Sequence, residues 1–114
     1  MARILVAEPD PDALALIQRA VAASGHEAVL YRPGSELPDV DVMLFEPSMG
    51  QRVIALAKVL GSASPPVPVV VVSIHPPELA VHELRPVAYV LKPFSLDELR
   101  AAVEKAVRVS GERT

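Results

Sequence analysis

The chain has no cysteine and no tryptophan, and only two tyrosines and two phenylalanines, among its 114 residues. Without cysteine there is neither a disulfide framework nor a thiolate metal site, and this absence favours a cytoplasmic location. So few aromatic side chains exclude a base-stacking platform for single-stranded nucleic acid. No apolar run approaches the roughly 20 residues that span a bilayer, so we expect no membrane association.

Charges of both signs are mixed along the chain, with 11 Lys and Arg against 14 Asp and Glu, for a net charge of -3. This balance argues against direct binding of nucleic acid, and proteins are the expected partners. The three histidines are scattered, and we expect neither a metal site nor a cofactor. The length is that of one domain with its own core, covering residues 1–114.

Four short apolar runs each end in polar residues. If the runs are parallel strands, their carboxyl ends meet at one edge of a sheet, where open α/β folds place their sites. The runs and the residues that follow them are 4–7 with Glu8, Pro9 and Asp10; 40–45 with Glu46; 67–72 with Ser73; and 88–91 with Lys92 and Pro93. We call the side chains of Glu8, Glu46, Ser73 and Lys92 the strand-end pocket.

Helical patterns separate these runs. Leu14, Ile17 and Val21 recur at helical spacing, and apolar residues in 50–60 predict a second helix. Ser95 and Glu98 have the spacing of a capping box at the start of the last helix. Residues 28–31 add a fifth short strand, and the alternation predicts an α/β fold in which a doubly wound, five-stranded parallel sheet is connected by right-handed crossovers.

Proline and glycine curtail two of the connections. Residues 32–39 contain two prolines and a glycine, so we expect a turn or loose coil there instead of a helix. Residues 78–85 lie between two prolines, which leaves room only for a short helix.

The order of acid, acid, hydroxyl and lysine-proline at the strand ends resembles the receiver domain of bacterial two-component signalling. In that family an Asp after the third strand takes a phosphoryl group from a histidine kinase, and paired acids after the first strand help to hold Mg²⁺. The resemblance covers essentially the whole chain and implies the flavodoxin-like (βα)5 receiver fold, here with a reduced second helix and a shortened fourth helix. The roles it implies are phosphoacceptor position for Glu46, acidic pocket for Glu8, Pro9 and Asp10, switch for Ser73 and Tyr89, and the family's lysine and following proline for Lys92 and Pro93.

The chain departs from the receiver pattern where phosphorylation chemistry depends on it. Glu46 replaces the phosphoacceptor Asp with a longer carboxylate, although in-line attack tolerates little displacement. Pro9 replaces a metal-binding acid, and Asp10, one residue late, is expected to cap the next helix instead. Ile74 is large where receivers carry a small residue, and we expect it to cover the pocket. We therefore predict a pseudo-receiver that has no catalytic residue and no metal.

Lys92 has a structural role even without phosphate. Its ammonium is expected to pair with Glu46, so that each charge offsets part of the other's desolvation. The resemblance implies a cis peptide bond between Lys92 and Pro93, an isomer that X-Pro bonds tolerate. It also leaves open whether Glu46 imitates a phosphorylated Asp and holds an active-like state.

These features together predict a protein that is not an enzyme but a protein-protein interaction module in bacterial signal transduction. In receivers the face formed by the fourth helix, fifth strand and last helix carries the signal output, and we call it the output face. Two alternatives stay open: a working receiver phosphorylated at Glu46 with weak Mg²⁺ dependence, and a small-ligand sensor that uses the vacated pocket. Homodimer formation and the partner's identity also stay open. The exposed candidates on the output face are Glu83, Arg85, Tyr89, Arg100 and Lys105.

Overall fold

Within residues 1–36, 39–75, 81 and 83–112, which the computed structural model describes, five parallel strands form one sheet in the order β2-β1-β3-β4-β5. This confirms the predicted α/β class and five-stranded parallel sheet. The strands are β1 (Arg3–Ala7), β2 (Glu27–Leu30), β3 (Val42–Phe45), β4 (Val69–Ser73) and β5 (Ala88–Leu91). The helices are α1 (Pro11–Ala23), α2 (Gln51–Gly61) and α3 (Leu96–Glu112), with a 3-10 turn at Pro47–Met49.

The two central strands are buried along their whole length, because helices cover the sheet on both faces. Leu44 and Val70 pack on the side of α1 and α3, whereas Phe45 and Val71 pack on the side of α2. Both central strands are shorter than their apolar runs, and β4 begins only after Pro68, which has no backbone N–H to donate. Among the described residues, no helix has both the length and the apolar character needed to cross a bilayer.

Local capping fixes where two of the helices begin. The Asp10 side chain accepts a hydrogen bond from the Ala13 amide at 3.2 Å, which confirms the capping role predicted for Asp10. At the start of α3, the Glu98 amide donates to Ser95 Oγ at 3.1 Å, and Glu98 Oε1 accepts from the Ser95 amide at 3.4 Å. The predicted capping box is thus confirmed.

We expect Asp10→Ala to lower the free energy of unfolding by about 1 kcal/mol, because the first turn of α1 loses its side-chain acceptor. Asp10→Asn should cost much less, since asparagine caps as well as aspartate does. Urea unfolding of the three proteins measures this difference. Equal loss in both variants would show that the carboxylate charge, not the cap, is what matters.

The connection from β2 to β3 is irregular. None of its described residues, 31–36 and 39–41, is helical, and the chain turns at Gly34, whose φ is +80°. Half of the short helix predicted over 78–85, residues 78–80 and 82, lies outside the described residues; residues 83–85 are described and are not helical, so the predicted end of this helix at Arg85 is wrong.

Candidate functional site

The register of β1 and β3 places two carboxylates side by side. Ala7 pairs with Phe45, and the Glu46 amide donates to the Ala7 carbonyl at 2.9 Å. The next residues along each strand, Glu8 and Glu46, are only 7% and 3% exposed. Two buried acids therefore meet at the carboxyl edge of the sheet, as the strand ends predict.

Lys92 joins both carboxylates. Its Nζ lies 2.8 Å from Glu8 Oε1 and 3.8 Å from Glu46 Oε2, with 16% of the lysine side chain exposed. The predicted pairing with Glu46 is thus the longer of two contacts, and Glu8 is the nearer partner. The Lys92-Pro93 peptide bond is cis, as expected.

Each carboxylate also accepts a hydrogen bond from the backbone of the loop that follows its strand. Glu8 Oε2 accepts a hydrogen bond from the Asp10 amide at 3.1 Å, and Glu46 Oε1 accepts one from the Ser48 amide at 3.2 Å. Both carboxylates are thus held by a backbone amide two residues further along the chain. The two inward oxygens, Glu8 Oε1 and Glu46 Oε2, are buried and accept no hydrogen bond. Their partner is the charge of the lysine.

The residues present do not fit the Mg²⁺ that the receiver resemblance implies. Pro9 offers no ligand atom, and the Asp10 side chain is turned to the Ala13 amide. Lys92 already places an ammonium within 2.8 Å of Glu8. In the described part of the chain, no group of three or more His, Cys, Asp or Glu side chains could hold a metal ion. We therefore derive no chemistry through a metal at this site.

Ser73 and Tyr89 are linked through one residue. The buried Ser73 Oγ accepts a hydrogen bond from the His75 amide at 3.1 Å, and the Tyr89 hydroxyl donates to the His75 carbonyl at 2.6 Å. Tyr89 is half-buried, so its ring is not the fully exposed aromatic that the sequence led us to expect. The two residues at the switch positions, Ser73 and Tyr89, thus both hydrogen-bond to the backbone of His75, shortly after β4.

Ile74 does not form the cover expected over the strand-end pocket. It is 62% exposed, because the chain bends directly after Ser73, where the His75 amide returns to the serine hydroxyl.

The predicted output face is divided in the structure. Tyr89 and Lys105 line a shallow groove between β5 and α3, together with Leu91, Glu98 and Ala101. We call it the β5 groove. Leu91, 49% exposed at the end of an edge strand, was missed by sequence reasoning. Because Leu91 is the last residue of an apolar run, the sequence pattern predicts that it is buried in the core.

The other candidates on this face lie elsewhere. Arg100 is about 140° around the α3 axis from Lys105, and its Nη2 is 3.9 Å from Glu104 Oε1. Glu83 and Arg85 are exposed and line a different cavity, beside the end of α2 and the start of β4. Only Tyr89 and Lys105 of the five therefore share the β5 groove.

No protein-family model and no curated protein sequence matches this chain. Solved structures do match it. A CheY-like receiver domain protein from Methanospirillum hungatei has a TM-score of 0.80 at 17% identity, over 100% of this chain and 99% of that one. A response regulator from Thermotoga maritima has a TM-score of 0.76 at 18% identity, over 95% and 98%. The chain has the receiver fold.

A third match is to the phosphorylated cyanobacterial phytochrome response regulator RcpA, with a TM-score of 0.72 at 20% identity, over 95% of each chain. Identities this low establish the receiver fold alone. What the strand-end pocket of this receiver fold does chemically has to follow from its own residues.

Proposed function

We propose that this receiver-fold domain acts in signal transduction through protein-protein contacts and without phosphorylation. The observation that carries the proposal is the Lys92 ammonium, which lies 2.8 Å from Glu8 and 3.8 Å from Glu46 in a buried pocket. The lysine gives the buried carboxylates a cation that belongs to the chain itself, so they have a positive partner without an incoming metal ion. A cytoplasmic location belongs to the same proposal.

Acyl-phosphate formation needs a carboxylate free to attack, a metal to neutralise the phosphoryl oxygens and a cation to bind them. Here one Glu46 oxygen is held by the Ser48 amide and the other faces Lys92. Pro9 leaves the metal without a third acid. No observation favours phosphorylation at Glu46, or a ligand in a strand-end pocket whose acids are already buried and paired.

Beryllofluoride with Mg²⁺, a stable mimic of the acyl phosphate, tests this directly. We expect no change in the amide NMR signals of Glu8, Glu46 and Ser73 on titration, because Pro9 and the capping Asp10 leave Mg²⁺ without a third acid and Lys92 already faces both carboxylates. A phosphorylatable receiver titrated in parallel shows that the reagent is active. Saturable shifts at these three residues would contradict the proposal.

Variants that restore the receiver-type aspartates test the same proposal. Glu46→Asp alone should remain unresponsive to labelled acetyl phosphate, because Pro9 still supplies no ligand. Pro9→Asp combined with Glu46→Asp should recover labelling, since the second acid recreates a metal cage. Labelling of the Glu46→Asp single variant would show that nucleophile length, not the metal site, had blocked the reaction.

The proposed contact surface is the β5 groove. It combines an exposed aliphatic side chain, Leu91, with the half-buried Tyr89 and the charged Lys105. An apolar centre with a charged rim is the composition of a modest protein interface. Because Tyr89 is bonded to the His75 carbonyl, its ring is held in one position.

A further inference from the structure

A second cavity, of about 650 Å³, opens over β1 and β2 on the α2 side of the sheet. Its apolar wall includes Leu5 from β1, Val29 from β2, Tyr31 just after β2, and Leu56 from α2. We call it the β2 cavity. The carboxylates of the strand-end pocket are not among its lining residues, so the two sites are different parts of the molecule.

The β2 cavity exists because of the irregular connection after β2. Parallel strands are joined by crossovers that usually place a helix on the sheet face. The described part of this crossover contains a turn around Gly34 and no helix. Val29 and Tyr31 consequently stay only half-buried beside α2, although both pack against the core on the α2 side of the sheet.

Two arginines are among the residues that line the β2 cavity. Arg32 comes from the connection after β2 and Arg52 from the first turn of α2; both are exposed and both line the cavity, as does the single acid Glu36. Among the described residues, neither arginine forms an ion pair with a carboxylate. A guanidinium presents a planar fork of donors that fits a carboxylate, sulfonate or phosphate.

We propose that the β2 cavity binds a small amphipathic anion. The anionic head lies between Arg32 and Arg52, and the apolar body packs on Leu5, Val29 and Leu56. A volume of about 650 Å³ falls within the range of small-molecule sites, roughly 300–1,000 Å³.

Decanoate is the probe, with decyltrimethylammonium as the matched cation of equal chain length. Calorimetry should show saturable binding of one decanoate per chain, and amide NMR should place the shifts at Val29, Tyr31 and Leu56. The cation should bind much more weakly, because it meets two guanidinium groups. This proposal does not depend on whether the domain is phosphorylated. The beryllofluoride titration monitors residues of the strand-end pocket, whereas decanoate binding is monitored at residues of the β2 cavity, so the two proposals can fail separately.

Variants at the cavity separate specific binding from hydrophobic adsorption. Arg32→Gln and Arg52→Gln should each weaken decanoate binding about three- to tenfold, as expected for loss of a charge-assisted hydrogen bond at a partly exposed site. Arg19→Gln, an exposed change on α1 across the sheet, should leave the affinity unchanged. All three are surface changes, and melting curves check their folding.

Three outcomes overturn the proposal. They are the absence of saturable decanoate binding, equal affinity for decyltrimethylammonium, and unchanged affinity when Arg32→Gln and Arg52→Gln are combined. Binding of an acidic amphipathic peptide at these residues without any binding of decanoate would assign the β2 cavity to a protein partner instead.

Discussion

Lys92→Ala should lower the free energy of unfolding by about 3 kcal/mol, the lower end of the range for breaking a buried ion pair. The variant leaves Glu8 and Glu46 buried side by side, and the inward oxygen of each has no other partner. The low end applies because 16% of the lysine side chain is still exposed to water. Denaturant unfolding followed by circular dichroism measures the loss.

Two further proteins show whether the cause is the pocket charge. Lys105→Ala, at an exposed position of α3, should change the free energy of unfolding by no more than about 0.5 kcal/mol. Glu8→Gln in the Lys92→Ala background should restore part of the loss, because it removes one of the two buried charges. A neutral Lys92→Ala would mean that water reaches the carboxylates and that the ion pair contributes little.

Leu91→Asp should abolish the biological role of the domain, because it places a charge at the apolar centre of the β5 groove. Val59→Asp is the matched control, since Val59 is similarly exposed but lies on α2. Each substitution should cost at most about 1 kcal/mol of stability. Complementation in the native host, alongside melting curves, gives the comparison.

Glu46→Gln tests the opposite assignment in the same assay. It should retain most of the biological role, because the proposed function uses no reaction at this carboxylate. If Glu46→Gln abolished function at unchanged stability while Leu91→Asp were tolerated, the activity would belong to the strand-end pocket and not to the β5 groove.

Most of the framework follows from patterns that are local in sequence. Strand ends, the Asp10 cap and the capping box at Ser95 depend on residues a few positions apart, and the structure has them where they were predicted. The nearer partner of Lys92 could not be predicted in this way. It depends on where the loops after β1 and β3 place the two carboxylates, which no local pattern encodes.

Surfaces were harder to predict than strand ends. The proline-rich segment after β2 indicated a missing helix. The cavity also needs Leu56 and Arg52 of α2 to lie beside β2 on the same face of the sheet, which no local pattern encodes. The predicted output face combined residues of three elements, with Arg100 and Lys105 both on the last helix. Their separation of five positions on a helix puts them on different flanks.

The ion pair between Glu8 and Lys92 joins the loop after the first strand to the end of the last one. During synthesis from the amino terminus, Glu8 and Glu46 leave the ribosome long before Lys92 does. A nascent chain that lacks β5 therefore holds two carboxylates with no cation to accompany them into the interior. Burial of this edge costs more free energy before the final strand is present, so partial sheets are disfavoured against the complete one.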